Sequence, residues 1–275
     1  MTAVALLVLG GLLTGPAAAA APDKDPLENR RLPRVIGEQR FGQVVRATAG
    51  RWARKPVRVH YQWLRAGKPI KGATSRRYRI APKDVGRSLR VRVTARAKGT
   101  APGAATSART GRVEHRVDVR RTVSYSVRTK GKIVVSVKKF RRLAQQTYDD
   151  PRGWRGRGVR FVPVKKGGSF TLWLAAASTV PSFSSGCSSM WSCRVGRNVI
   201  INQDRWRWAS PAWNAAHRSL RDYRHMVVNH ETGHWLGKGH AKCPGKGRPA
   251  PVMMQQSKGT QGCRFNPWPT LAELR

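Results

Sequence analysis

The sequence predicts two folded units: a small all-β unit from Pro33 to about Arg112, then a mixed α/β unit from about Val113 to Arg275. Three observations predict it. In the first stretch apolar residues recur at every second position. Val57, Val59, Tyr61 and Trp63 alternate with Arg58, His60 and Gln62, and Leu89, Val91, Val93 and Ala95 repeat the pattern against Arg90, Arg92 and Arg96. That is the period of strands with one buried face. In the second stretch strand-like runs alternate with helical spacing. All four cysteines, Cys187, Cys193, Cys243 and Cys263, also lie there. A chain of 275 residues is long enough to bury two cores.

Taken in order, the chain starts with an apolar run from Val4 to Leu13, then Thr14-Gly15-Pro16 and a string of alanines from Ala17 to Ala21. This resembles a signal peptide over 1–21 cleaved near Ala20 or Ala21, although no Lys or Arg precedes Lys24. An uncleaved anchor is the alternative, and Gly10, Gly11, Gly15 and Pro16 make a poor spanning helix. The expected location is therefore secreted or envelope-associated. Residues 22–32 are polar and read as a linker.

In the β unit Gly67 and Gly72 mark turns, and Asp84-Val85-Gly86 precedes the late strand. Ala101 to Thr110, rich in small residues, reads as the start of the passage to the second unit. The string Y-Q-W-L-R-A-G-K-P-I-K-G-A-T resembles the immunoglobulin-like repeats of secreted bacterial proteins. The resemblance implies a β-sandwich with Trp63 as its buried tryptophan.

The second unit opens with a strand carrying Val123, Tyr125 and Val127. Val137, Phe140, Ala144 and Thr147 then line one side of a helix to about Asp149, which Asp150-Pro151-Arg152-Gly153 stops. Further strands are expected around Val159 and Phe161, from Phe170 to Ala176, and from Asn198 to Asn202. A last helix starts at Ser219-Leu220-Arg221-Asp222, with Leu220, Tyr223, Val227, His230 and His234 on one stripe. The eight tryptophans of this unit are expected mostly in its core.

That last helix carries His230-Glu231-Thr232-Gly233-His234-Trp235-Leu236-Gly237-Lys238-Gly239-His240, or H-E-x-x-H-x-x-G-x-x-H. Four residues are about one helical turn, so His230 and His234 share a face and can grip one metal ion. Gly237 can take the left-handed conformation that ends a helix and brings His240 round as a third ligand. Three protein ligands with an open position describe a catalytic zinc rather than a structural one. Glu231, beside the first ligand, suits a general base. The one later acidic residue, Glu273, is too far along the chain to suit the layout with a distant glutamate ligand.

These residues resemble the metzincin zinc peptidases, which place a methionine turn beneath the metal. Pro251-Val252-Met253-Met254-Gln255-Gln256 would supply it, with Met253 as the methionine. The resemblance implies a zincin-like α/β fold and one zinc ion held by His230, His234 and His240. The implied activity is hydrolysis of a polypeptide substrate through zinc-bound water activated by Glu231. It also implies a substrate strand laid along an exposed sheet edge, for which Phe170 to Ala175 is the candidate. Gln255 stands where some metzincins carry a transition-state tyrosine, so the oxyanion-stabilising group is left open. More narrowly, residues from about Val123 to Trp268 resemble a family of secreted actinobacterial domains read as zinc peptidases. V-V-N-H-E-T-G-H, Cys243-Pro244-Gly245 and Gln261-Gly262-Cys263 carry that likeness.

Four cysteines allow three pairings, of which Cys187–Cys193 with Cys243–Cys263 is the most economical. No C-x-x-C occurs, which argues against a cysteine zinc site. Lys and Arg number 54 against 13 Asp and Glu, a formal net charge of +41. Between Pro33 and Arg112 there are 21 basic and 2 acidic residues, 21 − 2 giving +19. Such a surface attracts polyanions, whether nucleic acid, lipid headgroups or the anionic cell-envelope polymers that are the expected partner. The basic residues are spread rather than clustered, so sequence-specific nucleic-acid recognition is not expected. The rival reading is a catalytically inactive zinc protein that binds those polymers.

Overall fold

The computed structural model describes residues 24–275; the leader expected at 1–21 lies outside the described residues. Among them no helix is long and apolar enough to cross a membrane. The chain is mixed α/β, with several sheets and few helices.

The first unit contains β1 (Asn29–Arg31), β2 (Val35–Ile36), β3 (Val44–Ala47), β4 (Arg51–Trp52), β5 (Arg58–Arg65), β6 (Lys68–Pro69), β7 (Arg77–Arg79), β8 (Leu89–Arg96) and β9 (Gly103–Thr106). Every ladder between these strands is antiparallel, in sheets of order β6-β5-β8-β9 and β2-β3-β7 with β1 against β4. Leu89, Val91, Val93 and Ala95 all point inward, as their spacing requires. Leu89, Val91 and Val93 share a core with Trp63, whose ring stacks on Tyr78 at 5.4 Å and whose Nε1 donates to the Ser75 carbonyl at 2.9 Å. Val57 departs from the expectation: β5 begins one residue later and Val57 is 79% exposed.

A buried carboxylate holds the corner before β8. Asp84 accepts hydrogen bonds from Arg65 Nε (2.6 Å), the Tyr78 hydroxyl (2.8 Å) and the Ala81 amide (2.6 Å). The stretch expected as a linker over 22–32 is instead docked on this unit where it is described. Leu27 is buried against Ala95, Ala97 and Trp52, and its amide donates to the Ala101 carbonyl. Burying Leu27 is the physical reason: polar neighbours do not prevent one large apolar side chain from anchoring a segment. Ala101–Thr110 is likewise no simple passage, since β9 completes the sheet beside β8. Pairing continues through Val113 and Glu114, whose amides donate to Arg87 and Gln39.

The second unit contains β10 (Arg121–Lys130), α1 (Val137–Asp149), β11 (Val159–Pro163), β12 (Phe170–Ala175), β13 (Cys193–Val195), β14 (Asn198–Asn202), α2 (Gln203–Trp208), α3 (Pro211–Ala215) and α4 (Leu220–Trp235). Its sheet has the order β11-β10-β12-β14-β13, parallel except for the antiparallel β13. Ser136 caps α1 and Ser219 caps α4, each accepting a first-turn amide. The two helices pack together over one core with Phe140, Tyr148, Trp154, Trp206, Trp213 and Tyr223.

The strand expected to offer a substrate edge does not. β12 lies in the centre, hydrogen-bonded to β10 on one side and β14 on the other. Its sequence explains this: Phe170, Leu172 and Leu174 feed the helix-side core while Trp173 and Ala175 pack on the opposite face. A strand apolar on both faces belongs inside a sheet. The edge next to α4 is β13.

Candidate metal centre

The three histidines are brought to one point by a helix and the turn that ends it. His230 and His234 are successive turns of α4. Gly237 adopts φ +85°, and the Lys238 amide donates to the Gly233 carbonyl at 2.9 Å, which closes the helix and reverses the chain. His240 then returns alongside. The Nε2 atoms of His230 and His234 lie 3.1 Å apart, and those of His234 and His240 3.2 Å apart. The ligand atoms of all three fall within 4.8 Å of one another.

Backbone carbonyls fix which nitrogen faces the cluster. His230 Nδ1 donates to the Val252 carbonyl and His234 Nδ1 to the Lys238 carbonyl, each at 2.8 Å. Their Nε2 atoms therefore carry lone pairs that converge on one point. Burial pushes His230 down to about 3, and lowers His234 and His240 as well, so all three favour the neutral, ligating form. Lone pairs crowded together repel one another until a cation sits between them. Two Zn–N bonds of 2.0–2.1 Å at a tetrahedral angle separate their nitrogens by about 3.3 Å. The observed spacing fits a zinc ion.

Glu231 faces the same space and is only 6% exposed. It accepts no hydrogen bond from any described residue. Burial pushes its carboxyl up to about 8, against a smaller opposing pull from Arg194. The other residues of this turn brace it: the Asn229 carbonyl accepts Trp154 Nε1 at 2.9 Å, and the Thr232 hydroxyl pairs with Tyr148 at 2.9 Å.

Met253 packs beneath this turn. A methyl group at Gly233 would collide with its sulfur, so the glycine is what lets the methionine approach. The Met253 carbonyl accepts the Ala241 amide at 3.1 Å, tying the turn to the residue after His240. Glu273, unassigned by sequence reasoning, holds the turn from the other side. Its carboxylate accepts the amides of Val252 (3.0 Å), Met253 (2.8 Å) and Thr270 (2.7 Å), and the Thr270 hydroxyl (2.8 Å). The T-x-x-E spacing of Thr270 and Glu273 was the available signal. Since Val252 also orients His230, the carboxylate reaches the cluster through one residue.

A cleft of about 360 Å³ opens over the histidines. Gln255 lines it from the methionine turn, Lys258 from the loop after that turn, and Trp191, Cys193 and Arg194 from the edge strand and its loop. Tyr223 lies at its inner end with its hydroxyl 2.9 Å from Ser257. Disulfides join Cys187 to Cys193 and Cys243 to Cys263, the local pairing. They are compatible with an extracytoplasmic protein.

A family model described as a protein of unknown function (DUF3152) matches residues 93–267. The chain belongs to this family. The DUF3152 match spans all three histidines, Glu231 and Met253. It begins inside β8, thirty residues before the likeness read from sequence begins at Val123, and so takes in the closing strands of the β unit. A search of curated proteins finds no match for this DUF3152 chain.

Proposed function

We propose that this chain is a secreted zinc-dependent endopeptidase of the metzincin kind, its catalytic unit preceded by an immunoglobulin-like module. One observation carries the reading: three histidine lone pairs converge beside a buried carboxyl that has no partner, and the site opens on a cleft. A structural zinc site is closed by a fourth protein ligand; among the described residues only these three form the cluster.

His230, His234 and His240 would hold the ion, with Met253 as packing beneath them. Bound there, zinc would supply Lewis acidity to a peptide carbonyl and acidify a water molecule. Glu231 would take the proton from that water at a carboxylate oxygen and deliver it to the departing amine. Its burial suits both halves of the task, because a carboxyl raised toward neutrality both accepts and returns a proton readily. β13, with one sheet neighbour, would offer its outer backbone to an extended substrate.

The test is metal analysis of the full chain, with proteolysis of an unbiased peptide mixture with and without chelator. One equivalent of zinc and chelator-sensitive cleavage are expected. Zinc binding without cleavage of any peptide would instead favour the inactive, polymer-binding reading.

A further inference from the structure

The cleft wall is more positively charged than its chemistry requires. The register of β13 against β14 decides where Arg194 goes. Directly opposed residues of an antiparallel pair share a face of the sheet. Cys193 opposes Ile200, which packs with Ala175, Val180 and Cys187 on the far face. Arg194 opposes Val199, which belongs to the core shared with α4. Arg194 therefore stands on the metal side of the edge strand, over the cleft it helps to line. Lys258 lines the opposite wall, from the loop after the methionine turn.

Among the described residues neither cation makes a salt bridge, and Arg194 meets Glu231 only through a weak electrostatic pull. Ion pairs among the described residues involve Arg30, Arg40, Arg65 and Arg152, and Arg40 alone meets three carboxylates. Around the cleft the one carboxyl is Glu231, which is buried and reserved for the chemistry. A third cation stands behind: Arg205 lies 5.7 Å from the Trp191 ring, and its buried Nε finds no hydrogen-bond partner. Arg194 and Lys258 are both exposed at the cleft, and a concave wall lined by one sign of charge focuses its field on what enters.

We infer that the cleft selects peptides carrying a carboxylate next to the bond it cleaves, with Arg194 and Lys258 as the groups that receive it. This rests on the peptidase reading and narrows it to a substrate class. The carboxylate can come from an Asp or Glu side chain or from a free C-terminus. A guanidinium on a rigid strand can bind it through two parallel hydrogen bonds, while the lysine supplies a point charge.

The experiment uses the zinc-loaded full chain and matched peptides with Asp, Asn or Lys flanking the scissile bond, each made with a free and an amidated C-terminus. Carboxylate-bearing peptides should show kcat/KM about tenfold above their amide counterparts, with the gap closing as salt rises. Loss of the preference on amidation assigns it to the C-terminal carboxylate; persistence assigns it to the side chain. Arg194→Glu and Lys258→Glu should reverse the acidic-to-basic ratio, and the Gln variants should flatten it, with zinc content confirming that each variant is folded. Equal cleavage of acidic, neutral and basic peptides overturns this inference and leaves the peptidase reading intact. Failure to cleave a peptide of any charge overturns both.

Discussion

Asp84 in the β unit is shut off from water at 0% exposed, whereas Glu231 in the α/β unit, 6% exposed, lines the open cleft. Asp84 is met by a guanidinium, a phenol and an amide, each within 2.8 Å. Glu231 is met by nothing among the described residues. The first arrangement is what a fold does with a carboxylate it needs for its own shape, because an unpaired buried charge is costly. The second is reached from the cleft that Glu231 lines, while burial of the rest of the side chain pushes its carboxyl up to about 8. A satisfied carboxylate locks a corner; one without a protein partner, beside three converging lone pairs, is left open to whatever enters the cleft.

The sharpest way to break this contrast is Glu231→Gln. The amide keeps the shape but cannot take a proton, so cleavage should fall about 10²–10⁴-fold while zinc stays bound. Rates equal to the native protein, with full zinc content, would remove Glu231 as the base. Next comes Asp84→Asn, which leaves Arg65 without its charge partner. It should cost about 3–5 kcal/mol in the β unit, measured by denaturant unfolding, with the histidine cluster still taking up zinc. A loss of zinc affinity there would mean that the two units are coupled through more than the chain.

Glu273→Gln probes a third carboxylate, placed between these extremes because it is fully bonded yet acts on the site. It should weaken zinc binding about 10–100-fold through Val252 and His230, read in competition with a chromogenic chelator. Unchanged affinity would reduce Glu273 to a local brace.

The smallest effect expected is a pH slope. His225 is buried with Nδ1 on the Thr147 hydroxyl at 2.8 Å, and Arg221 Nε donates to its other nitrogen at 3.4 Å. Burial first, then Arg221, pushes it from 6.5 down to about 4. With the folded pKa below the unfolded one, the unfolded chain takes up the proton first. Stability is therefore full above about 6.5 and declines as pH falls toward 4. His225→Gln should flatten the melting temperature between those limits. An unchanged slope would shift the effect to the other histidines that burial lowers, His115 and, without metal, the clustered three.

What the sequence reveals of this chain follows the range of its interactions. β8, α1, α4 and β14 are legible because their patterns are complete within a few residues, and so is the histidine spacing that one helix and one turn bring together. The place of β12 is not, because an apolar run says that a strand is buried but not which neighbours bury it. β13 escapes notice at three residues, with a disulfide rather than a periodic face to mark it. Leu27, Asp84 and Glu273 act at a distance or in turns, where a single residue of ordinary type carries no pattern. Arg194 is hidden among 54 basic residues until register gives it a direction.

The two cystine bridges sit on opposite sides of the cleft, one at the edge strand and one around the methionine turn. In a compartment that keeps thiols reduced, both walls would lack their cross-links while the histidine helix between them is already formed. The final shape of the cleft would then depend on the redox state of its surroundings.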